Sequence, residues 1–178
     1  MRFRPTRLEG FLVIELDLHV DERGSFGRAF CADEFKSAGI PFEVVQTNIS
    51  LNPHRHTLRG MHYQQPPNGE PKVVLCTHGR IFDVAVDLRP DSPTYLQWEA
   101  VQLELGEGVA RAVYIAPGLA HGFLTLEPDS DVYYLMGAVY VPGSGRGVRW
   151  HDPAIGIIWP APPAVISPKD ATYPLVAV

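Results

Sequence analysis

Short stretches in which apolar and polar residues alternate recur along most of the chain. The clearest is Gly79–Leu88, in which every second residue from Phe82 is apolar, while both aspartates lie on the opposite face of an extended backbone. Turn-forming residues follow at once in Arg89–Pro93. This pattern is typical of a β-strand with two different faces.

Other segments have strand-like composition and are bounded by glycine, proline or turn residues. They are Phe11–Asp17, Ser25–Phe30, Glu43–Ser50, Leu58–Gln64, Val73–Thr77, Leu96–Leu105, Arg111–Ile115, His121–Leu126, Asp131–Met136 and Val148–Trp150. One short helix is predicted at Ala32–Ala38. So many short strands predict an all-β sandwich, barrel or jelly roll. From Pro160 the chain is rich in proline and alanine, so residues 160–178 are expected to lie irregularly over the barrel.

Composition excludes several classes of protein. With 46% hydrophobic and 20% charged residues in 178, we expect one globular domain spanning residues 1–178. No apolar run reaches the roughly 18 residues that a membrane span needs. The net charge of −5 argues against a nucleic-acid partner. Cys31 and Cys76 are too few for a disulfide framework, so we expect free thiols and a cytoplasmic location.

Two histidines could begin a metal site of the cupin kind. His54 and His56 are two residues apart, and His121 could supply a third ligand. Cupin metal sites place a glutamate about four residues after such a pair, and that position is Gly60. Two residues spaced in this way also share a face of any extended segment. We therefore expect no catalytic metal.

Two other residues could carry acid–base chemistry if they point into a barrel. His62 could be a general base there, or a core histidine bonded to a backbone carbonyl. A regular strand would place Arg59 and His62 on opposite faces, unless Gly60 marks a bulge. Lys72 begins an apolar strand and could stabilise an enolate oxygen inside the barrel or extend into solvent. Spacing alone leaves these alternatives open.

The joint order of the motifs resembles that of the dTDP-4-dehydrorhamnose 3,5-epimerase family of cupin-like sugar epimerases. The matching segments are Arg23–Gly24, Gln46–Ser50, Leu58–Gln64, Gly79–Arg89, Ser92–Thr94, Ile115–Phe123, Trp150–Pro153, Ile157–Pro160 and Ser167–Asp170. The resemblance implies a cupin-type jelly-roll barrel with short peripheral helices. It also implies inversion of C3 and C5 of a dTDP-4-keto-6-deoxyhexose in deoxysugar biosynthesis, such as that of L-rhamnose. No cofactor is implied, because the C4 ketone itself acidifies both protons.

The resemblance also implies the roles of the catalytic residues. They are His62 as base, Asp170 as its partner, Lys72 beside the C4 oxygen, and Tyr134 as the acid on the opposite face of the ring. The choice of Tyr134 over Tyr133 depends on aligning Tyr140 and Pro142 with the tyrosine and proline that follow the acid in the family. A shift by one residue would turn the side chain to the other face of the strand.

Substrate contacts are implied in the same way. Arg59 and Tyr140 would bind the diphosphate, His121 would line the sugar pocket, and Gln46 and Asn48 would contact the sugar or nucleotide. Arg23 and Phe26 would reach the nucleotide of a neighbouring subunit, because the family forms homodimers by exchanging N-terminal strands.

Some positions depart from the family pattern. Arg28 stands where many members carry a glutamate that contacts thymine, and Leu135 replaces a usual lysine. These changes leave open the exact sugar, the nucleotide and whether one or two centres are inverted, including inversion at C3 only. Two other functions are possible from the residues alone: a metal-dependent cupin oxidoreductase and a carbohydrate-binding barrel without turnover.

Overall fold

The computed structural model describes residues 1–106 and 108–177, which form mainly antiparallel β-structure. The strands are β1 (Arg2–Pro5), β2 (Phe11–Glu15), β3 (Leu18–Asp21), β4 (Gly24–Gly27), β5 (Gln46–Asn52), β6 (Thr57–Gln64), β7 (Lys72–His78), β8 (Ile81–Asp87), β9 (Trp98–Leu103), β10 (Leu105–Gly106), β11 (Val109–Ile115), β12 (Leu119–Thr125), β13 (Ser130–Met136), β14 (Gly145–Gly147) and β15 (Val165–Ile166). The helices are α1 (Ala32–Ser37) and α2 (Pro168–Ala171). The predicted all-β class is confirmed. In the described part of the chain, neither helix is long enough to cross a membrane.

The strands form two large sheets and one hairpin. The first sheet has the order β1-β2-β11-β7-β13-β5, with β10 paired to β11, and the second has the order β14-β6-β12-β8-β9. β15 runs parallel to β6, and β3 pairs only with β4. Neighbouring strands are mostly distant in the chain, as in the jelly roll expected of a cupin-like fold.

The two large sheets share one apolar core and are each covered on the outside. Val74 and Cys76 of β7 belong to the cluster between the sheets, with side chains from β8, β11 and β12. Val73 and Leu75 belong to a second cluster that includes Phe35 of α1. Because both faces of β7 are buried, this strand is apolar at successive positions instead of alternating.

In β8 the apolar face points outward and the acidic face points inward. Val84 and Val86 pack in an outer cluster with Trp159 and with Val176 of the C-terminal segment, which begins at Pro160. Asp83 and Asp87 are fully buried. The residues after the strand satisfy the Asp87 carboxylate, since it accepts hydrogen bonds from Arg89, Ser92 and Thr94.

A bulge in β6 brings Arg59 and His62 to the same cavity. These two residues are three steps apart in β6, but their partners in β12 are only two steps apart. The extra residue is accommodated because Gly60 and Gly122 lie in close contact. A Cβ atom on Gly60 would lie 2.6 Å from the Gly122 Cα atom. Gly60 thus occupies the position at which the sequence allowed a bulge.

Some predicted boundaries were wrong. The strand expected at Val148–Trp150 is β14, which ends at Gly147. Val148 still exchanges backbone hydrogen bonds with Met61, and beyond it the Arg149 N–H donates to the Pro174 carbonyl, 3.0 Å away in the C-terminal segment. That segment is also more regular than predicted, since it contains β15 and α2.

Substitution of Gly122 by alanine should destabilise the fold. The new Cβ would lie 2.6 Å from Met61 Sδ and 2.8 Å from the Arg59 carbonyl oxygen. We expect Gly122→Ala to lower the free energy of unfolding by about 1–3 kcal/mol in urea titrations. Gly106→Ala is the matched control, because among the described residues other than its chain neighbours no atom lies within 4 Å of its Cβ position. Equal stability of the two variants would contradict the close packing at the bulge.

Candidate active site

A cavity of about 240 Å³ is lined by residues of both large sheets. We call it the first cavity; its lining is Asn48, Ser50, Arg59, His62, Lys72, His121, Phe123, Tyr134 and Met136. It brings together three of the four predicted catalytic residues, while the fourth, Asp170, contacts His62. A second cavity of about 220 Å³ adjoins it, and His62 and Lys72 line both.

His62 is hydrogen-bonded to a carboxylate and not to a backbone carbonyl. The distance between His62 Nε2 and Asp170 Oδ1 is 2.8 Å. The side chain of His62 is 44% exposed, whereas that of Asp170 is 8% exposed. The imidazole is therefore open to a ligand, while its bond to Asp170 fixes the orientation of the ring.

The C-terminal segment carries Asp170 to this position. β15 pairs with the start of β6, and α2 begins after a single intervening residue, Ser167. The Ser167 side chain caps α2 by accepting a hydrogen bond from the Asp170 N–H at 3.0 Å. Asp170 Oδ2 accepts a further bond from the Gly60 N–H at 3.2 Å. Asp170 is thus held in place by Ser167 of the C-terminal segment and by Gly60 at the bulge in β6.

The charge on Asp170 is stabilised by these contacts. Burial by itself would raise the pKa of the carboxyl group, but the hydrogen bond and charge of His62 oppose it, together with the Gly60 N–H. The net result is a pKa below the ordinary value. Asp170 is consequently ionised at neutral pH and can stabilise an imidazolium.

Lys72 is buried and paired. Its Nζ atom lies 2.9 Å from Glu70 Oε2, with the side chains 8% and 10% exposed. Lys72 therefore does not extend into bulk solvent, which was one of the two sequence interpretations. Its position in both cavity walls allows a cationic group to meet a ligand oxygen there.

Tyr134 and Tyr133 lie on opposite faces of β13. Tyr134 lines the first cavity, and Tyr133 packs in the outer cluster beside α1. Burial and the nearby charge of Asp83 raise the pKa of the Tyr134 hydroxyl group well above its ordinary value. Tyr134 therefore keeps its proton at neutral pH, as a proton donor must.

A second histidine–aspartate pair lies deeper in the same cavity. His121 Nε2 is 2.7 Å from Asp83 Oδ2, and the His121 ring meets the Tyr134 ring edge-on at 6.1 Å. Burial raises the pKa of Asp83, while the charges of His121 and Lys72 oppose this effect. Among the described residues, no donor reaches Asp83 Oδ1. The buried carboxyl group of Asp83 thus fixes the orientation of the His121 ring in the first cavity.

The predicted substrate-binding residues are distributed over several places. Arg59 lines the first cavity and donates to Asn52 at 2.8 Å, and Asn48 lines it and accepts from Gln46 at 3.0 Å. Tyr140 lines the second cavity instead.

Arg23 and Phe26 do not line either cavity of their own chain. They belong to the β3–β4 hairpin, where Arg23 pairs with Asp21 and Phe26 is 80% exposed. Arg28, after the hairpin, pairs with Glu34 of α1 at 2.7 Å. The hairpin therefore contributes nothing to the first cavity of the same subunit.

The histidines considered for a metal site do not meet. Within residues 1–106 and 108–177, no three His, Cys, Asp or Glu side chains are grouped closely enough to hold a metal ion. His54 is exposed in the turn before β6, whereas His121 is bonded to Asp83.

Sequence reasoning missed Glu70 and Asp83. Glu70 is two residues before Lys72, a spacing that places both on one side of an extended chain. Asp83 lies on the polar face of a clearly alternating strand, but nothing in the sequence indicates that this face is the buried one. A larger cleft of about 850 Å³ lies beside α1, but its lining is mostly apolar, and its only ionisable side chains are Lys36 and Glu43.

Known proteins with similar sequences are epimerases of nucleotide-linked sugars. A dTDP-4-dehydrorhamnose 3,5-epimerase of Methanothermobacter thermautotrophicus is 40% identical over 176 residues, which cover 97% of this chain and 92% of that protein. A dTDP-4-dehydrorhamnose 3-epimerase of Streptomyces niveus is 38% identical and covers 99% of this chain and 84% of its own length.

A solved structure has the same fold throughout. The dTDP-6-deoxy-D-glucose-3,5-epimerase of Legionella pneumophila, crystallised with dTDP-4-keto-L-rhamnose, is 37% identical and superimposes with a TM-score of 0.91 over 98% of this chain and 92% of that chain. The family model described as dTDP-4-dehydrorhamnose 3,5-epimerase matches residues 5–177. The chain therefore belongs to the dTDP-4-dehydrorhamnose 3,5-epimerase family.

Proposed function

We propose that this protein inverts C3, C5 or both in a dTDP-linked 4-keto-6-deoxyhexose through an enolate, in deoxysugar biosynthesis in the cytoplasm. The observation that carries the proposal is the first cavity, in which a carboxylate-bound histidine, a buried lysine and a protonated tyrosine face one space. Those are the base, the oxyanion partner and the acid that the reaction needs.

The reaction begins with proton abstraction beside the ketone. His62 takes the proton from C3 or C5, and the ionised Asp170 stabilises the imidazolium that forms. The electron pair of the broken C–H bond moves to the C4 oxygen. Lys72 then stabilises the negative charge on that oxygen, in a cavity where burial strengthens the attraction.

Inversion requires that the proton return from the other face of the ring. Tyr134 supplies it, since its raised pKa keeps the hydroxyl group protonated until the enolate forms. Arg59 and Asn48 lie in the same cavity and would bind polar groups of the substrate, and Tyr140 in the adjoining cavity would contact the diphosphate.

Inversion at C3 alone is the second candidate. The relative from Streptomyces niveus is named as a 3-epimerase, and it is nearly as similar to this chain as the 3,5-epimerase from Methanothermobacter. Nuclear magnetic resonance in deuterated water distinguishes the two, because each carbon that loses its proton gains deuterium. The same assay with other nucleotides tests whether Arg28 changes the base preference.

We also propose a homodimer in which the β3–β4 hairpin of one subunit completes the site of the other. The hairpin exposes the apolar side chains of Val20 and Phe26, 64% and 80% respectively, and contact with a second chain would bury them. Its Arg23 lines no cavity with His62 in its own chain. A site assembled from two chains accounts for both features.

Removal of the base should abolish exchange. We expect His62→Ala to slow deuterium incorporation at both C3 and C5 of dTDP-4-keto-6-deoxyglucose by roughly 100- to 10,000-fold, because both protons need the same base. His54→Ala, in an exposed turn, is the control and should retain the wild-type rate. Exchange at close to the wild-type rate in His62→Ala would refute the assignment of the base.

Removal of the acid should separate exchange from inversion. In Tyr134→Phe, His62 can still remove and return a proton on one face, so deuterium enters while the epimerised product is lost. Chiral product analysis beside the exchange assay measures both. Tyr133→Phe is the matched control, since that side chain lies on the other face of β13. Normal inversion by Tyr134→Phe would contradict the proposed acid.

If each active site is shared between two chains, two different inactive variants should restore activity when they form a mixed dimer. Arg23→Ala and His62→Ala are each expected to impair turnover, but in a mixed dimer one site has both native residues. Random assortment of co-expressed chains then restores about a quarter of the wild-type sites. Co-expressed chains that remain as inactive as the separate variants would contradict a contribution of Arg23 across the interface.

A further inference from the structure

A chain of buried polar groups connects Lys72 to the turn at Val141–Ser144. Beyond the Lys72–Glu70 ion pair, Gln64 Nε2 donates to Glu70 Oε1 at 2.8 Å. Gln64 Oε1 lies 2.5 Å from Ser144 Oγ and accepts from the Val141 N–H at 3.1 Å. Each polar group on this path therefore has a partner, and Glu70 is the member that contacts Lys72 directly.

Lys72 needs such a partner for two reasons. Its side chain is 8% exposed, and an ammonium group without water or a counter-charge is strongly disfavoured. Its four-carbon stem is also flexible, and it borders two cavities, so without a contact the cation could point into either. The other nearby carboxyl group, Asp83, is bonded to His121. Glu70 is thus the contact that holds the ammonium group.

The backbone around Glu70 is itself held in place. Pro71 separates Glu70 from Lys72, and its carbonyl accepts a hydrogen bond from the Gly137 N–H at 2.8 Å. A Cβ atom on Gly137 would lie 2.7 Å from Pro71 Cγ, so this segment packs tightly against the end of β13. The backbone at Glu70 is therefore held in place by the packing of Pro71, which limits where its carboxylate can lie.

We propose that Glu70 is a positioning residue, which keeps the Lys72 ammonium group paired in the resting site and aims it at the C4 oxygen of the substrate. Glu70 acts through Lys72 and contacts no reacting atom. This inference rests on the proposed function, because it concerns the group that stabilises the enolate. It predicts that Glu70 matters for kcat only while Lys72 is present.

A double-mutant cycle tests this coupling. Glu70→Gln keeps the size of the side chain and an acceptor for Gln64, but it removes the negative charge. In the otherwise native chain, we expect kcat for deuterium exchange to fall about 10- to 100-fold, with KM within about threefold. In the Lys72→Met background, the same substitution should change the rate of deuterium exchange by less than about twofold. This residual exchange is slow and is followed over days.

Controls separate positioning from general damage. Glu43→Gln changes an exposed carboxyl group outside both cavities and should leave kcat unchanged. If Glu70→Gln does not fold, Glu70→Asp enters the same cycle; it keeps the charge but shortens the reach, and a loss of about 3- to 10-fold is expected.

Three results would overturn the inference: wild-type kcat in Glu70→Gln, a rise in KM with kcat retained, or an equal loss in the Lys72→Met background. A wild-type chain that exchanges no deuterium would instead refute the proposed function.

Discussion

The hydrogen bond between His62 and Asp170 joins residues 108 positions apart, and the arrangement of the site follows from it. For this bond to form, the C-terminal segment must lie along β6, which it does through the pairing of β15. Its far end is held as well, because the buried Asp152 accepts a hydrogen bond from the Val176 N–H at 2.6 Å. Polar contacts thus hold the C-terminal segment at both ends, Val176 adds apolar packing against β8, and together they place the Asp170 carboxylate beside His62.

The interior of the barrel holds charged groups, and their pairing determines which protons are available. Asp170 is kept ionised by His62, Lys72 is paired with Glu70, and burial raises the pKa of Asp83. Burial also keeps the Tyr134 hydroxyl group protonated. A histidine bonded to an ionised carboxylate and a protonated tyrosine therefore share a single cavity, because their surroundings differ in charge and exposure.

The strands that line the first cavity and the β3–β4 hairpin are held differently. His62, Lys72 and Tyr134 lie in central strands, each of which has a paired strand on both sides. Arg23 and Phe26 lie in a hairpin outside both large sheets, and Arg28 is bound to Glu34 nearby. Because the hairpin pairs with neither large sheet, its positions are less constrained by the core than those in the central strands.

By itself, the sequence determined the all-β class. Apolar and polar residues alternate over segments of the length of a strand, and frequent turn residues between these segments leave little room for helices. The order of its motifs indicated the family, and from that resemblance came His62, Lys72, Tyr134 and Asp170. Only the tertiary structure decided that the acidic face of β8 is the inner one, and that Asp83 is bonded to His121 and Glu70 to Lys72. The physical reason is that alternation shows which residues share a face, but not what covers it. Here α1 and the C-terminal segment cover the outer faces of the sheets, which leaves the inner space for polar groups.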